Sequence, residues 1–136
     1  MKKTDLKKFA GLEYLTIKDV PIRSSKHGDV IDVNYGKLER MAAKFILQQK
    51  IPIRGKEIKL LRSVTRMSMA ELGKALGVSA NAVMHWEKEG DKRLLPINEM
   101  IVRAFFCSEL EVEFPKCFDD LKSNLKRAKK ILLKAS

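Results

Sequence analysis

Asn81 and His85 stand four residues apart in the run Ser79-Ala-Asn-Ala-Val-Met-His-Trp-Glu-Lys88, a spacing that stacks them on one face of a helix. A carboxamide offers a donor and an acceptor side by side, the pattern that matches adenine N6 and N7. An imidazole one turn on reaches a guanine acceptor or a phosphate. Around them Ala80 and Ala82 leave room and bring methyl groups suited to thymine, while Met84 and Lys88 share the outward side. The chemistry these types support is recognition of base edges, and such chemistry needs a rigid scaffold.

The surrounding residues predict that scaffold. Ser68 followed by Glu71 is a capping box, so a helix starts at Met69, with Leu72 and Leu76 on one face. Gly77 ends it, Val78 plugs the turn, and Ser79 caps a second helix in which Val83 and Trp86 point inward at i and i+3. Backbone amides at the Ser68 and Ser79 caps are candidate phosphate anchors, with Lys74 and Lys88 adding charge at the edges. Two helices joined in this way place one across a DNA backbone and the other in the major groove.

At these residues the chain resembles the Xre/Cro/CI-type helix-turn-helix repressors. The resemblance rests on Gly73, Gly77, Val83, Trp86 and Glu87 within LGVSANAVMHWEKEG, with one residue inserted before Gly90. It implies a lambda-repressor-like bundle that reads an inverted-repeat operator as a homodimer, with 79–88 as the recognition helix. Many members of that family begin the first helix with a phosphate-binding glutamine. Here Met69 stands at that position, which implies weaker anchoring to the backbone there.

Composition agrees with a polyanionic partner. The 136 residues carry a formal charge of +11, a pI of about 9.8, and an apolar share of 45%, enough for a core. The excess lies at the ends: residues 1–54 hold 12 basic and 6 acidic side chains, and 118–136 hold 6 and 2, while 55–117 are nearly balanced at 10 and 9. With histidines only at 27 and 85, no nucleophile motif and no phosphate loop, catalysis is not expected. Cys107 and Cys117 make neither a disulfide framework nor a metal site, and Cys107 sits in an apolar run. No cofactor or metal is expected. No signal peptide opens the chain and no apolar run nears a membrane span, so a cytoplasmic, nucleoid-associated setting is the expectation.

The expected fold is mainly α with a small antiparallel β-unit at the N-terminus. After a lysine-rich 1–11, either frayed or a short amphipathic start, strands are expected over 12–17, 20–22 and 30–33, then a helix over 36–50 with Leu38, Met41, Ala42, Phe45 and Ile46 as its stripe. Pro52 ends it, and 51–54 marks a boundary between a 1–52 unit and a 53–115 DNA-binding domain. Helices follow over 55–65 and 97–110, the latter closing the core with Met100, Ile101, Ala104 and Phe105. Residues 111–114 look extended. The 116–136 tail reads as a basic amphipathic helix over 118–134, a packing or dimerisation element ahead of a phosphate-contacting arm or a membrane-surface helix.

The order of β-unit, helix, Gly55-Lys-Glu-Ile-Lys-Leu-Leu-Arg62 and helix pair is similar to that of MqsA-type antitoxin repressors. That resemblance implies an alternative function: an antitoxin that grips a toxin protein and autoregulates its operon. The zinc half of that family does not carry over, because Ser24 and His27 occupy the thiol positions in Val20-Pro-Ile-Arg-Ser-Ser-Lys-His-Gly28. His27 reads as an exposed turn residue.

Overall fold

A computed structural model describes residues 2–49, 51–115 and 128–135. The chain divides into two compact units, residues 1–42 with 128–136, and residues 43–127.

In the first unit, strands β1 (Lys3–Lys7), β2 (Leu15–Ser25), β3 (Gly28–Ile31) and β4 (Ile131–Lys134) form one sheet. Long β2 is its spine. β1 pairs with it antiparallel from Lys3↔Pro21 to Lys7↔Thr16, and β3 pairs antiparallel from Ile22↔Ile31 to Ser25↔Gly28. β4 pairs parallel from Leu15↔Ile131 to Lys18↔Lys134. Because Thr16 and Ile17 pair on both sides, β4 takes the edge opposite β1, the same edge that β3 takes further along. The register slips between Thr4 and Leu6, where Asp19 bulges out of β2 at φ 58° with its amide on Asp5 Oδ1 at 3.1 Å. Phe9, Leu12, Leu15, Ile17 and Val20 are buried, and the Phe9 ring meets Tyr35 with centroids 5.1 Å apart.

Three expectations are corrected here. The lysine-rich start is a strand: Thr4 and Leu6 alternate with charged residues and lie against Val20 and Ile17. The unit is a mixed sheet, because β4 runs parallel to β2. The tail helix does not extend to 134. A helix there would set Leu132 on one apolar side with Leu121, Leu125 and Ala128; as a strand, Ile131 and Leu133 turn inward beside Leu15 and Ile17 while Leu132 faces out, and the open edge of β2 supplies a hydrogen-bonded ladder. Residues 118–127 of that expected helix, and Cys117, lie outside the described residues.

In the second unit, the end of α1 (Tyr35–Gln48) leads to α2 (Gly55–Thr65), α3 (Met69–Leu76), α4 (Ala80–Lys88) and α5 (Pro96–Glu109). Ile58 and Leu61 of α2, Leu72 of α3, Val83 of α4, and Val102 and Phe106 of α5 are fully buried. Residues 51–54, expected as a boundary, are buried throughout and belong to this unit.

The expected stripe of α5 is rotated. Glu99, Val102, Arg103, Phe106, Cys107 and Leu110 face inward, leaving Ile97 and Ile101 at 67% and 44% exposure. Two charged residues cause the rotation. Arg103 donates to the carbonyls of Leu47 at 2.9 Å, Gln49 at 3.1 Å and Ile51 at 2.5 Å, sealing the end of α1 and the chain beyond it. Glu99 joins Arg93 at 2.6 Å and Arg103 at 3.5 Å. Beyond α5, residues 112–115 form no regular strand.

Candidate nucleic-acid interface

The turn between α3 and α4 is held by local chemistry at both ends. Ser68 Oγ accepts from the Glu71 amide at 3.0 Å, and Glu71 Oε1 accepts from the Ser68 amide at 3.1 Å, which holds the Glu71 carboxyl below the usual carboxylate range. Gly77 closes α3 at φ 77°, a conformation that a Cβ would strain, and the Val78 amide reaches back to the Gly73 carbonyl at 2.8 Å. Ser79 Oγ then accepts from the Ala82 amide at 3.0 Å to start α4. A Cβ on Gly73 would come within 2.7 Å of the Val78 carbonyl, so glycine sets how closely α3 approaches the turn.

α4 is braced from behind by α2. The guanidinium of Arg62 grips the Glu87 carboxylate with Nε–Oε2 at 2.7 Å and Nη2–Oε1 at 3.0 Å, and its Nη1 holds the Met67 carbonyl at 3.0 Å. This pairing raises the Arg62 pKa further. Gly55 lies so close to the Trp86 carbonyl that a Cβ there would overlap it. Below, Glu57 takes the Arg54 amide at 2.8 Å and its guanidinium at 2.7 Å, and Asp91 ties Lys56 at 2.7 Å. The first turn of α2 and the segment after α4 are thereby joined.

With its back fixed, α4 presents Ala80, Asn81, Met84, His85 and Lys88 to solvent. Ser68, Lys74 and Ser79 are also exposed, while Met69 and Ala82 are half-buried. Trp86 is half-buried and Val83 fully so, both on the inner side. Two of the expected residues are already engaged within the protein. The Ser68 amide is occupied by Glu71, which also sets a negative charge at the start of α3. His85 Nε2 meets Glu89 Oε1 at 3.1 Å, one turn on. α4 has no acidic residue in its first turn, so its amide end remains favourable to an anion.

Beside α4 lies an open cleft of about 240 Å³, lined by His85, Trp86, Lys92, Leu94 and Asn98 among others. His27 occupies the exposed tip of the β2–β3 hairpin, remote in sequence from any other histidine. Among the described residues, no group of three or more His, Cys, Asp or Glu is placed to hold a metal ion. No described helix is long and apolar enough to cross a membrane.

No protein-family model, curated protein or solved structure matches this chain.

Sequence reasoning missed the Arg62–Glu87 brace and the pair of Arg54 with Glu57. The first joins residues 25 apart, and no local pattern announces such a contact. The second had a signal, since Glu57 stands three residues after Arg54 at a helix start.

Proposed function

We propose that the chain is a sequence-specific, double-stranded DNA-binding transcriptional regulator, a repressor of the Xre-like helix-turn-helix kind. In this reading α3 crosses the backbone and α4 enters the major groove. The observation that carries it is the bare face Asn81, Met84, His85 and Lys88 on a helix locked from behind by Arg62 and Gly55. A surface built only for solubility does not require its helix to be fixed by a bidentate ion pair and a glycine contact.

Asn81 pairs with adenine through both atoms of its amide. His85 reads differently from a free imidazole. Its Nε2 meets Glu89 Oε1 at 3.1 Å, which leaves Nδ1 as the ring nitrogen turned to a base edge or a phosphate. Phosphates are met by the first amides of α4 and by Lys74 and Lys88. A homodimer brings two such helices to an inverted repeat, and the uncovered Leu95, Ile97 and Ile101 beside α5 offer an apolar surface for it.

Selection of bound duplexes from a random pool tests the reading. One inverted-repeat sequence is expected to be enriched, and Asn81→Ala is expected to cost roughly 1–3 kcal/mol at that sequence with little change in thermal stability. Equal recovery of all sequences, or an Asn81→Ala protein that binds the selected site as tightly as the parent, would overturn it.

A further inference from the structure

Parts of the two basic ends of the sequence, residues 1–42 and 128–136, belong to the same first unit. Residues that pair across strands share a face of the sheet, so the registers assign its outer side. β1 contributes Lys3 and Lys7, β2 contributes Thr16, Lys18 and Arg23, and β4 contributes Leu132 and Lys134. Exposure agrees: Ile17 and Leu15 on the opposite side are fully buried, whereas Lys3, Lys7, Arg23, Leu132 and Lys134 are exposed and Lys18 partly so. Two acids join the face: Asp5, whose carboxylate accepts the Asp19 amide at 3.1 Å, and Asp32 just beyond β3. Among the described residues none of the four lysines is joined to a carboxylate, and Arg23 has only a loose contact with Asp32 at 3.8 Å.

Lys18 and Lys134 are direct register partners in the parallel ladder. Like charges set opposite each other weaken a sheet, so this pair opposes the fold that contains it. A polyanion lying on the face removes that repulsion. We propose that the outer face of this sheet binds the phosphate backbone of duplex DNA through Lys3, Lys7, Lys18 and Lys134.

The surroundings favour a duplex backbone over other polyanions. Phe9 and Tyr14 are buried, so no aromatic residue of the sheet lies outward for unpaired bases to stack on. A membrane-surface element sets a broad apolar face against its charges, and here Leu132 is the single large apolar side chain exposed among them. The surface carries no base-reading group and acts on any sequence. It therefore stands independently of base recognition by α4, which it would supplement with affinity.

The full chain and a variant combining Lys7→Gln, Lys18→Gln and Lys134→Gln are titrated against a random-sequence duplex at several salt concentrations. The slope of log affinity against log salt is expected to shrink by about 0.9 for each lysine removed. Arginine at the same three positions should restore it. Asn81→Ala should leave the slope intact while weakening the preference for the selected operator over random duplex. A chain that shows no sequence preference but still loses duplex affinity in the glutamine variant sinks base reading and supports the sheet surface. An unchanged slope in a folded glutamine variant overturns the proposal. So does lysine-dependent binding to phosphatidylserine-containing vesicles with no lysine dependence on duplex.

Discussion

Arg62 holds Glu87 through two parallel hydrogen bonds of 2.7 and 3.0 Å, joining α2 to the inner side of α4 across 25 residues of sequence. The Glu87 side chain is only 7% exposed, so the pair is shielded from solvent on that side and its geometry is fixed. Removing one partner strands the other. Arg62→Ala is expected to lower stability by about 1.5–3 kcal/mol in urea denaturation. Glu87→Gln, which keeps one acceptor, should cost less, and the double substitution should cost less than the sum of the two singles. Strict additivity would show that the contact is not coupled.

Gly55→Ala provides a test of sign. Alanine in a helix is ordinarily favoured over glycine by up to about 1 kcal/mol. Here the added methyl would run into the Trp86 carbonyl, which is backbone and cannot swing aside. The expected result is a loss of about 1–3 kcal/mol, the usual cost of overpacking. Trp86 fluorescence in the native state should shift, because α4 must move to make room. A stabilised Gly55→Ala protein with unchanged emission would mean that the two helices do not touch as described.

Legibility followed the range of the interactions. The boundaries of α3 and α4 could be read because serine caps, a reciprocal glutamate and Gly77 act within four residues of themselves. So could the exposed set on α4, since Val83 and Trp86 fix its inner face. What escaped was set by partners distant in sequence. Leu132 fits a helix stripe until the edge of β2 takes this segment as a strand and turns Ile131 and Leu133 inward instead. The inward face of α5 is decided by Arg103, which any hydropathy pattern assigns to solvent. It is buried because the carbonyls at the end of α1 need donors. The same holds for residues 3–7, whose strand character appears only against β2.

Glu71 gives the α3 cap a pH dependence of defined sign. Its folded pKa is lowered by hydrogen bonds from the Ser68 amide and hydroxyl. A depressed carboxylate contributes stability that is complete above its unfolded value and lost as pH falls through the folded one. Acidification below the ordinary glutamate range should therefore release α3 at its N-terminus. Amide exchange at Ser68 and Glu71 should rise there before exchange in the core of α2. An NMR titration midpoint for Glu71 at or above that of an unstructured glutamate would contradict this.

Ile101 tests the proposed homodimer. It lies exposed on α5, one turn from exposed Ile97, and its side chain takes no part in the buried core. Ile101→Glu should leave thermal stability of the monomer within about 0.5 kcal/mol, as is usual for surface substitutions. Sedimentation should shift from dimer to monomer, with binding to a two-half-site operator weakened more than binding to a single half-site. A dimer that persists unchanged would place the subunit contact elsewhere.

Arg103 is the strongest test of the second unit. Its side chain has no solvent exposure, and burial pulls its pKa down while Glu99 pulls it back up. The guanidinium supplies donors to the carbonyls of Ile46, Leu47, Gln49 and Ile51 at once, a spread that one ammonium cannot cover. Arg103→Lys should therefore behave as a broken contact rather than a conservative change. Arg103→Met takes the guanidinium donors away from the Leu47, Gln49 and Ile51 carbonyls, leaves the Ile46 carbonyl with the Gln49 amide, and leaves Glu99 with Arg93 as its remaining cation, which should cost about 3–5 kcal/mol. Adding Glu99→Leu to Arg103→Met removes the stranded carboxylate and should recover part of the loss, although the guanidinium's donors to the carbonyls stay missing. Urea denaturation of the four proteins measures this directly. If Arg103→Lys matched the parent, the carbonyl cluster would be satisfied by something other than this side chain, and the account of why α5 turns its charged residues inward would fail with it.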